Sequence, residues 1–251
     1  MVIEPETGLE VLGRFQEASA DLLESRALQH RVDWKYLVPA ASLGRVLTRL
    51  RADFHVVKVA DRPVAQYDTL YFDTPDRQLY HDHRRGRRPR YKVRIRHHQD
   101  RRVTFLEVKC KRRPDRTQKA RLQLPFGQCQ LDSDARRFVD ERCPVDAASL
   151  APCVSIAFLR ATLVGVASNE RITFDLNIDF RERGLRERLS GFVIAEVKQA
   201  PHLSTRGAVP AFRSLNLRER TLSKYCLATA RLQPMRINTL MPAFRAVERL
   251  I

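Results

Sequence analysis

The sequence predicts an α+β domain centred on an antiparallel β-barrel tunnel with flanking helices, and two patterns carry the prediction. From Arg87 to Arg121, three runs alternate with the two-residue period of a strand that has one apolar face. Arg90, Lys92, Arg94 and Arg96 oppose Tyr91, Val93 and Ile95. Glu107, Lys109 and Lys111 oppose Leu106, Val108 and Cys110, and Lys119 and Arg121 oppose Ala120, Leu122 and Leu124. The second pattern is helical: stretches over 8–28, 40–54, 132–142 and 211–232 supply cover for the apolar backs, which turns the charged faces inward into a wet, positive lumen. With the charged faces outward, the same strands would form an ordinary barrel with a solvated surface, the common state of an antiparallel sheet. Sign favours the inward arrangement. A solvated face mixes charges, whereas cations here far outnumber carboxylates, and like charges opposed across strands repel unless an anion lies against them.

Composition points the same way. The 251 residues carry 46 Lys and Arg against 29 Asp and Glu, a formal net charge of +17, with 43% hydrophobic residues. That length buries a substantial core in one large domain or two small ones. The charge points to nucleic acid, acidic lipid or a phosphate-rich small molecule. Arginine supplies most of it, and its planar fork matches pairs of phosphate oxygens. No run of about 18 apolar residues reads as a membrane segment, and the opening M-V-I-E-P-E-T-G holds no apolar signal; a cytoplasmic protein is expected. Five scattered cysteines (Cys110, Cys129, Cys143, Cys153, Cys226) include no C-x-x-C pair, which argues against a disulfide framework or a zinc site and for small core residues.

In chain order, residues 8–28 read as a packing helix with Leu12, Phe15, Ser19, Leu22 and Leu23 near one face. A strand over 31–38 alternates Arg31, Asp33 and Lys35 with Val32, Trp34 and Tyr36. Pro39 opens a helix whose Leu43, Val46, Leu47, Leu50 and Phe54 face the core. Over 66–73, Tyr67, Thr69, Tyr71 and Asp73 oppose Asp68, Leu70 and Phe72, and Thr74-Pro75-Asp76 turns the chain. His81 and His83 read as solvated histidines rather than metal ligands. Asp132 caps a short helix carrying Ala135, Phe138 and Val139. In the strand over 154–166, Arg160 interrupts an apolar row and is expected to meet a carboxylate or a ligand, since an unpaired buried charge is costly. Over 171–180, Arg171, Thr173, Asp175, Asn177 and Asp179 oppose Ile172, Phe174, Leu176, Ile178 and Phe180. After a charged hairpin or loop over 181–188, the run 192–198 puts Glu196 with Lys198. Residues 211–232 read as helical, carrying Lys224. The domains expected are an N-terminal helical extension over 1–29, the tunnel domain over 30–232 and a tail or loosely docked helix over 233–251.

Such a lumen selects a linear polyanion. Carboxylates inside it would repel phosphate unless a divalent metal intervened, which makes Glu196 and Glu107 candidate metal ligands, with Asp175 and Asp179 behind them. Oxygen ligands of this kind suit magnesium or manganese. A salt bridge to a neighbouring Arg or Lys is the alternative for each. No G-x-x-x-x-G-K-S/T or H-R-D motif is present, so phosphate chemistry here would rest on positioning and charge neutralisation. Arg94, Arg96, Lys109, Lys119 and Arg121 are the candidate phosphate ligands. Arg87, Arg88, Arg112 and Arg113, in flanking loops, are rim charges that steer an anion inward.

K-Y-L-V at 35–38, Y-F-D-T at 71–74, L-Y-H-D-H-x-x-G-x-R-P-R-Y-K-V-R-I-R from Leu79, F-L-E-V-K-C-K at 105–111 and Q-K-A-R-L at 118–122 resemble the VTC domain. That domain is the polyphosphate polymerase module of the vacuolar transporter chaperone complex and belongs with the triphosphate tunnel metalloenzymes, relatives of the CYTH triphosphatases and adenylate cyclases. The likeness covers roughly residues 30–230 and is most specific before Pro125. It implies the triphosphate tunnel fold and transfer of the terminal phosphate of ATP onto a growing polyphosphate chain, with Mn2+ or Mg2+ as cofactor. By motif match it implies phosphate binding by Lys35, Arg94, Arg96, Lys109, Lys119 and Arg121, joined by Lys111, Arg160, Lys198 and Lys224. It places a metal on Glu196 and catalytic roles on Arg94, Arg96, Lys109 and Glu196. CYTH relatives usually carry E-x-E-x-K in the first strand; here Arg31 and Asp33 stand in the acidic places, which fits the VTC branch better than a metal-rich triphosphatase. The alternatives are a tunnel triphosphatase acting on tripolyphosphate or nucleoside triphosphates, and a non-catalytic polyphosphate or RNA binder. Tyr91, Phe174 and Phe180 fall on apolar faces rather than among the cations, so nucleic acid is not the expected partner.

Overall fold

The computed structural model describes residues 6–26, 32–113, 117–200 and 207–251. One antiparallel sheet runs in the order β1 (Val32–Pro39), β10 (Phe192–Gln199), β8 (Glu170–Glu182), β7 (Ala151–Gly165), β3 (Val64–Asp73), β4 (Arg90–His98), β5 (Val103–Lys111), β6 (Thr117–Leu124). The short β2 (Phe54–Val56) pairs with β7, and β9 (Leu185–Leu189) pairs with β8. Among the described residues β1 and β6 do not pair with each other, so the expected barrel is curled rather than closed. The curl is legible in the charges: Lys109 on β5 feels Lys35 on β1 and Glu196 on β10, strands from the far end of the pairing order.

Register defines the inner face. Lys35 lies opposite Glu196, Arg160 opposite Asp175, Tyr67 opposite Phe158, Thr69 opposite Arg96, and Arg94 opposite both Tyr71 and Glu107. Lys92, Lys109 and Lys119 form one row across β4, β5 and β6.

Three apolar clusters hold the sheet. On the outer side, Tyr36, Val38, Ile172, Phe174, Ala195 and Val197 pack beneath α3 (Ala40–Leu50) and α6 (Ala208–Arg213). Leu43, Val46, Leu47 and Leu50 are buried at the expected helical spacing, and Phe212 stacks on Tyr36 with ring centroids 4.3 Å apart. The outer side of β4 and β5 packs with α5 (Ser133–Asp140), which Asp132 caps as expected. The third cluster lies on the inner side: Leu37, Tyr71, Ile156, Phe158, Ile178 and Ile194 meet α7 (Lys224–Leu232) and α8 (Met241–Glu248).

Several expectations change. The helix expected over 8–28 is two, α1 (Glu6–Gly13) and α2 (Ala20–Ser25), because Glu17 between them bridges to Val56, and Ser19 caps α2 instead of lining a face. The helical reading of 40–54 ends at Leu50, and Phe54 begins β2. The segment over 211–232 is also divided. Asn216 takes a φ of 57°, and the chain after it follows β1, where the Arg220 N–H donates to the Lys35 carbonyl at 2.7 Å and Glu219 bridges to Tyr36. As a result α7 enters the concave side instead of covering the back. On β8 the alternation breaks at Asn177, whose φ is 50°. Asp179 therefore pairs with Ala157 on the outer side, held by Arg181 and Arg186, while Phe180 joins the inner cluster. Asp73 is 1% exposed and caps α4 (Gln78–Arg84), accepting from the Leu79 and Tyr80 N–H groups at 2.8 and 2.9 Å and from the Tyr225 hydroxyl. Arg31 lies outside the described residues.

Candidate functional site: a cationic lumen

The strands aim their charged side chains at one another across the curl. At its centre the Arg94 Nε donates to Glu107 Oε2 at 2.7 Å, with Nη2 2.6 Å from the same oxygen, and Nη1 donates to the Tyr71 hydroxyl at 2.9 Å. Lys119 pairs with the other Glu107 oxygen. Arg96, 6% exposed, donates to Thr69 Oγ1 at 3.0 Å. The Tyr67 and Phe158 rings stack at 5.5 Å, and the Arg96 and Arg160 guanidinium groups lie over them. Arg160 forks onto Asp175 at 2.6 and 2.9 Å, and Lys224, the first residue of α7, pairs with the same carboxylate. Glu196 accepts from Lys198 at 2.5 Å and forms an ion pair with Lys35 at 3.1 Å.

Burial opposes ionisation of Glu107, Asp175 and Glu196, yet the cations around each prevail and hold all three carboxyls well below the ordinary range. The lysines go the other way. Burial, with neighbouring cations adding to it, pushes Lys109 down to about 7 and Lys92 down to about 8. Burial also lowers Lys224 to about 8 despite its bond to Asp175, and burial with Arg94 beside it lowers Arg96 to about 10. The inner face is thus under electrostatic strain that a bound anion would relieve, at roughly 1.4 kcal/mol per pKa unit.

The lumen brings together Lys35, Arg94, Arg96, Lys109, Lys119, Arg160, Lys198 and Lys224. Lys111 lies opposite Arg90, and Arg121 sits over the Phe105 ring at 5.1 Å on the exposed strand β6. Arg87, Arg88, Arg112 and Arg113 are exposed. Arg160 meets a carboxylate, as a buried arginine requires. Sequence reasoning set Lys92 on the charged face beside Arg94 but left it out of the candidate site; its Nζ donates to the Ser223 Oγ at the cap of α7 at 2.9 Å. It also left out of the site Tyr67, Tyr71 and Phe158, so the expectation that aromatic rings avoid the cations is corrected. Of the three rings it rested on, Tyr91 and Phe174 do pack outward, but Phe180 faces inward.

Beside Arg160 and Lys198 a cavity of about 240 Å³ opens, lined by Arg26, Tyr67, Thr162, Arg171 and Thr173 as well. Arg26 donates to the carbonyls of Gly165 and Val166, the former at 3.1 Å.

The donor set does not suit a metal ion held by the protein alone. Glu107, Asp175 and Glu196 each stand between two cations, and no cluster of three metal-ligating side chains occurs among the described residues. A divalent ion beside any of these three would have to keep waters and take phosphate oxygens, as magnesium usually does with one or two carboxylates. His83 is occupied by the Tyr91 carbonyl at 3.1 Å.

Two solved structures share this architecture. A putative adenylyl cyclase from Hippeastrum, HpAC1, described as having a dominant triphosphatase activity, has 14% identity and a TM-score of 0.55 over 82% of this chain and 97% of its own. A putative adenylate cyclase from Bacillus halodurans has 13% identity and a TM-score of 0.51 over 78% of this chain and 94% of its own. No protein of curated function matches the sequence. No helix among the described residues is long and apolar enough to cross a membrane. The VTC domain family model matches residues 30–233. With most of its length matched and its charged strand faces curled around one lumen, the chain belongs to the VTC domain family and has the triphosphate tunnel fold.

Proposed function

We propose that this protein is a metal-dependent polyphosphate polymerase that moves the terminal phosphate of ATP onto a polyphosphate chain held in the lumen. The observation that carries the reading is the length of the cationic row. From Arg90 to Arg96, β4 advances six residues, about 20 Å at roughly 3.4 Å per residue, with Lys109 and Lys119 set across from its middle. Such a row is longer than a triphosphate needs and suits a linear polymer.

In the transfer, a terminal oxygen of the chain forms a bond to the γ-phosphorus of ATP, the bond from that phosphorus to the β,γ-bridging oxygen breaks, and the electron pair leaves with ADP. Arg94 is already fixed by Glu107 and Tyr71, so it meets the developing charge without reorganisation. Arg96 and Lys109 flank it on neighbouring positions of the same face and neutralise adjacent phosphate oxygens. Lys35 and Lys198 hold Glu196 in place, and Lys224, at the start of α7, pairs with Asp175 beside Arg160. A divalent ion on Glu196, Mg2+ or Mn2+, would supply further charge neutralisation between the phosphates.

Purified protein incubated with ATP and either metal should make long polyphosphate, and Arg94→Ala or Glu196→Gln should abolish the product. Release of free phosphate alone would overturn the polymerase reading in favour of a tunnel triphosphatase, the activity ascribed to the Hippeastrum structure. Tight polyphosphate binding without turnover under either metal would leave a binding module.

A further inference from the structure

We propose that Arg26, from the segment before the family-matched residues, builds an outer phosphate subsite with Arg160, Arg171, Lys198 and Thr173 that holds the distal groups of a polyphosphate longer than three units. The proposal rests on the polyphosphate reading above and adds to it a part the family module does not contain, since the match begins at residue 30.

The cavity these residues line, about 240 Å³, is smaller than the roughly 300–1,000 Å³ of pockets that take drug-sized ligands. Its size and four cations suit a compact anion. Four of its lining side chains are cationic. The Arg26 guanidinium is pinned to the turn after β7 by its bonds to the Gly165 and Val166 carbonyls, neutral partners that leave its charge intact. Thr173 gives an independent indication of a ligand. It is 5% exposed, lines the cavity, and its Oγ1 makes no hydrogen bond among the described residues. A buried hydroxyl in that state is costly, and an oxygen of an anion seated among the cations would satisfy it. The cavity is continuous with the inner site through two shared residues: Arg160 also holds Asp175, and Lys198 also holds Glu196.

The test uses the full chain and titration calorimetry with tripolyphosphate and with a longer linear polyphosphate. The parent should bind the longer chain more tightly. Arg26→Ala should weaken the longer chain about tenfold, the loss of one charge-assisted hydrogen bond, and leave tripolyphosphate unchanged. Arg26→Gln, which keeps N–H donors for the two carbonyls, should show the same loss, and Thr173→Val a smaller, equally length-selective one. Equal weakening for both lengths, no weakening, or parental affinity in Arg26→Gln would overturn the subsite. A parent that binds tripolyphosphate but gains nothing from a longer chain overturns it while leaving the tunnel reading intact. A parent that binds neither overturns both.

Discussion

Asp175→Asn removes one negative charge from the inner face of β8, where the carboxylate is 2% exposed and holds Arg160 through bonds of 2.6 and 2.9 Å and Lys224 through a third. The amide keeps the shape but leaves two buried cations beside the Phe158 ring. Removing one partner of a buried ion pair costs about 3–5 kcal/mol, and in a chain of this size each kcal/mol moves Tm by about 2–4 °C, so a fall of roughly 6–20 °C is expected. The loss should depend on pH. Lys224 is pushed below the ordinary lysine value to about 8 by burial, so the penalty for holding its charge is full below that value and fades as pH rises toward the unfolded-state value. Scanning fluorimetry should therefore show a larger loss near pH 7 than near pH 9.5. Tripolyphosphate should raise Tm more in the variant than in the parent, because the anion replaces the missing charge. A variant melting within about 1 °C of the parent at both pH values would refute the reasoning, since Arg160 and Lys224 would then be reaching water at no cost.

Four further outcomes follow from the same charges. With Lys109 near 7 and Lys92 and Lys224 near 8, an anion favours their charged forms, so tripolyphosphate binding at about pH 8 should take up protons. Calorimetric enthalpies in buffers of different ionisation enthalpy measure this uptake; affinity should fall as pH rises, and zero uptake would contradict the assignment. The same depressed values mean that the unfolded chain binds more protons than the ligand-free fold above about pH 7, so these lysines make the fold more stable as pH rises toward 10. Lys92→Met removes a buried cation that faces Lys109 in register; it should stabilise the ligand-free fold by on the order of 1–3 kcal/mol and weaken tripolyphosphate about tenfold or more. A lower Tm would count against the strained-lysine account. Glu196→Gln frees Lys35 and Lys198 from their shared carboxylate, so it should bind metal-free tripolyphosphate more tightly, about tenfold, while losing turnover; weaker binding would mean that the carboxylate mainly positions the two lysines.

The alternation of β4 and β5 announced which residues share a face, and the excess of cations is what points that face to an anion. Arg160 was legible for the same reason: a charge among Leu159, Ala161 and Leu163 needs a carboxylate, and Asp175 supplies it. A strand's period names two faces but not which one is concave, and a curled sheet puts apolar groups on both. The pattern sets Tyr71 on a face with Thr69 and Asp73 and Phe158 in an apolar row, with nothing to assign either to the site, whereas in the structure both join the inner cluster that α7 covers. The reversal at Asn177 lay in a backbone conformation that an intact polar–apolar pattern concealed, so Asp179 looked like a lumen residue. The strap between α6 and α7 was hidden because Leu215, Leu222 and Tyr225 fit helical spacing; pairing with β1 overrode that local pattern. Arg26 carried no signal, since its place depends on two carbonyls about 140 residues away.

The unjoined ends of the sheet bear on solubility. A closed barrel has no edges, but a curled one keeps two rows of backbone groups able to pair with another molecule. The fold guards them differently. Along β1, the strap satisfies the Lys35 carbonyl and bridges Tyr36. Along β6, the guard is composition: Thr117, Gln118, Lys119, Arg121 and Gln123 form an exposed, charged and polar border, the kind that discourages edge-to-edge aggregation. Lys119, which also pairs with Glu107 in the lumen, and Arg121 both stand on this border, so neutralising them together would alter the proposed phosphate site and remove a barrier to self-association at once. An inactive variant at these positions has to be shown monodisperse before its inactivity is credited to phosphate binding.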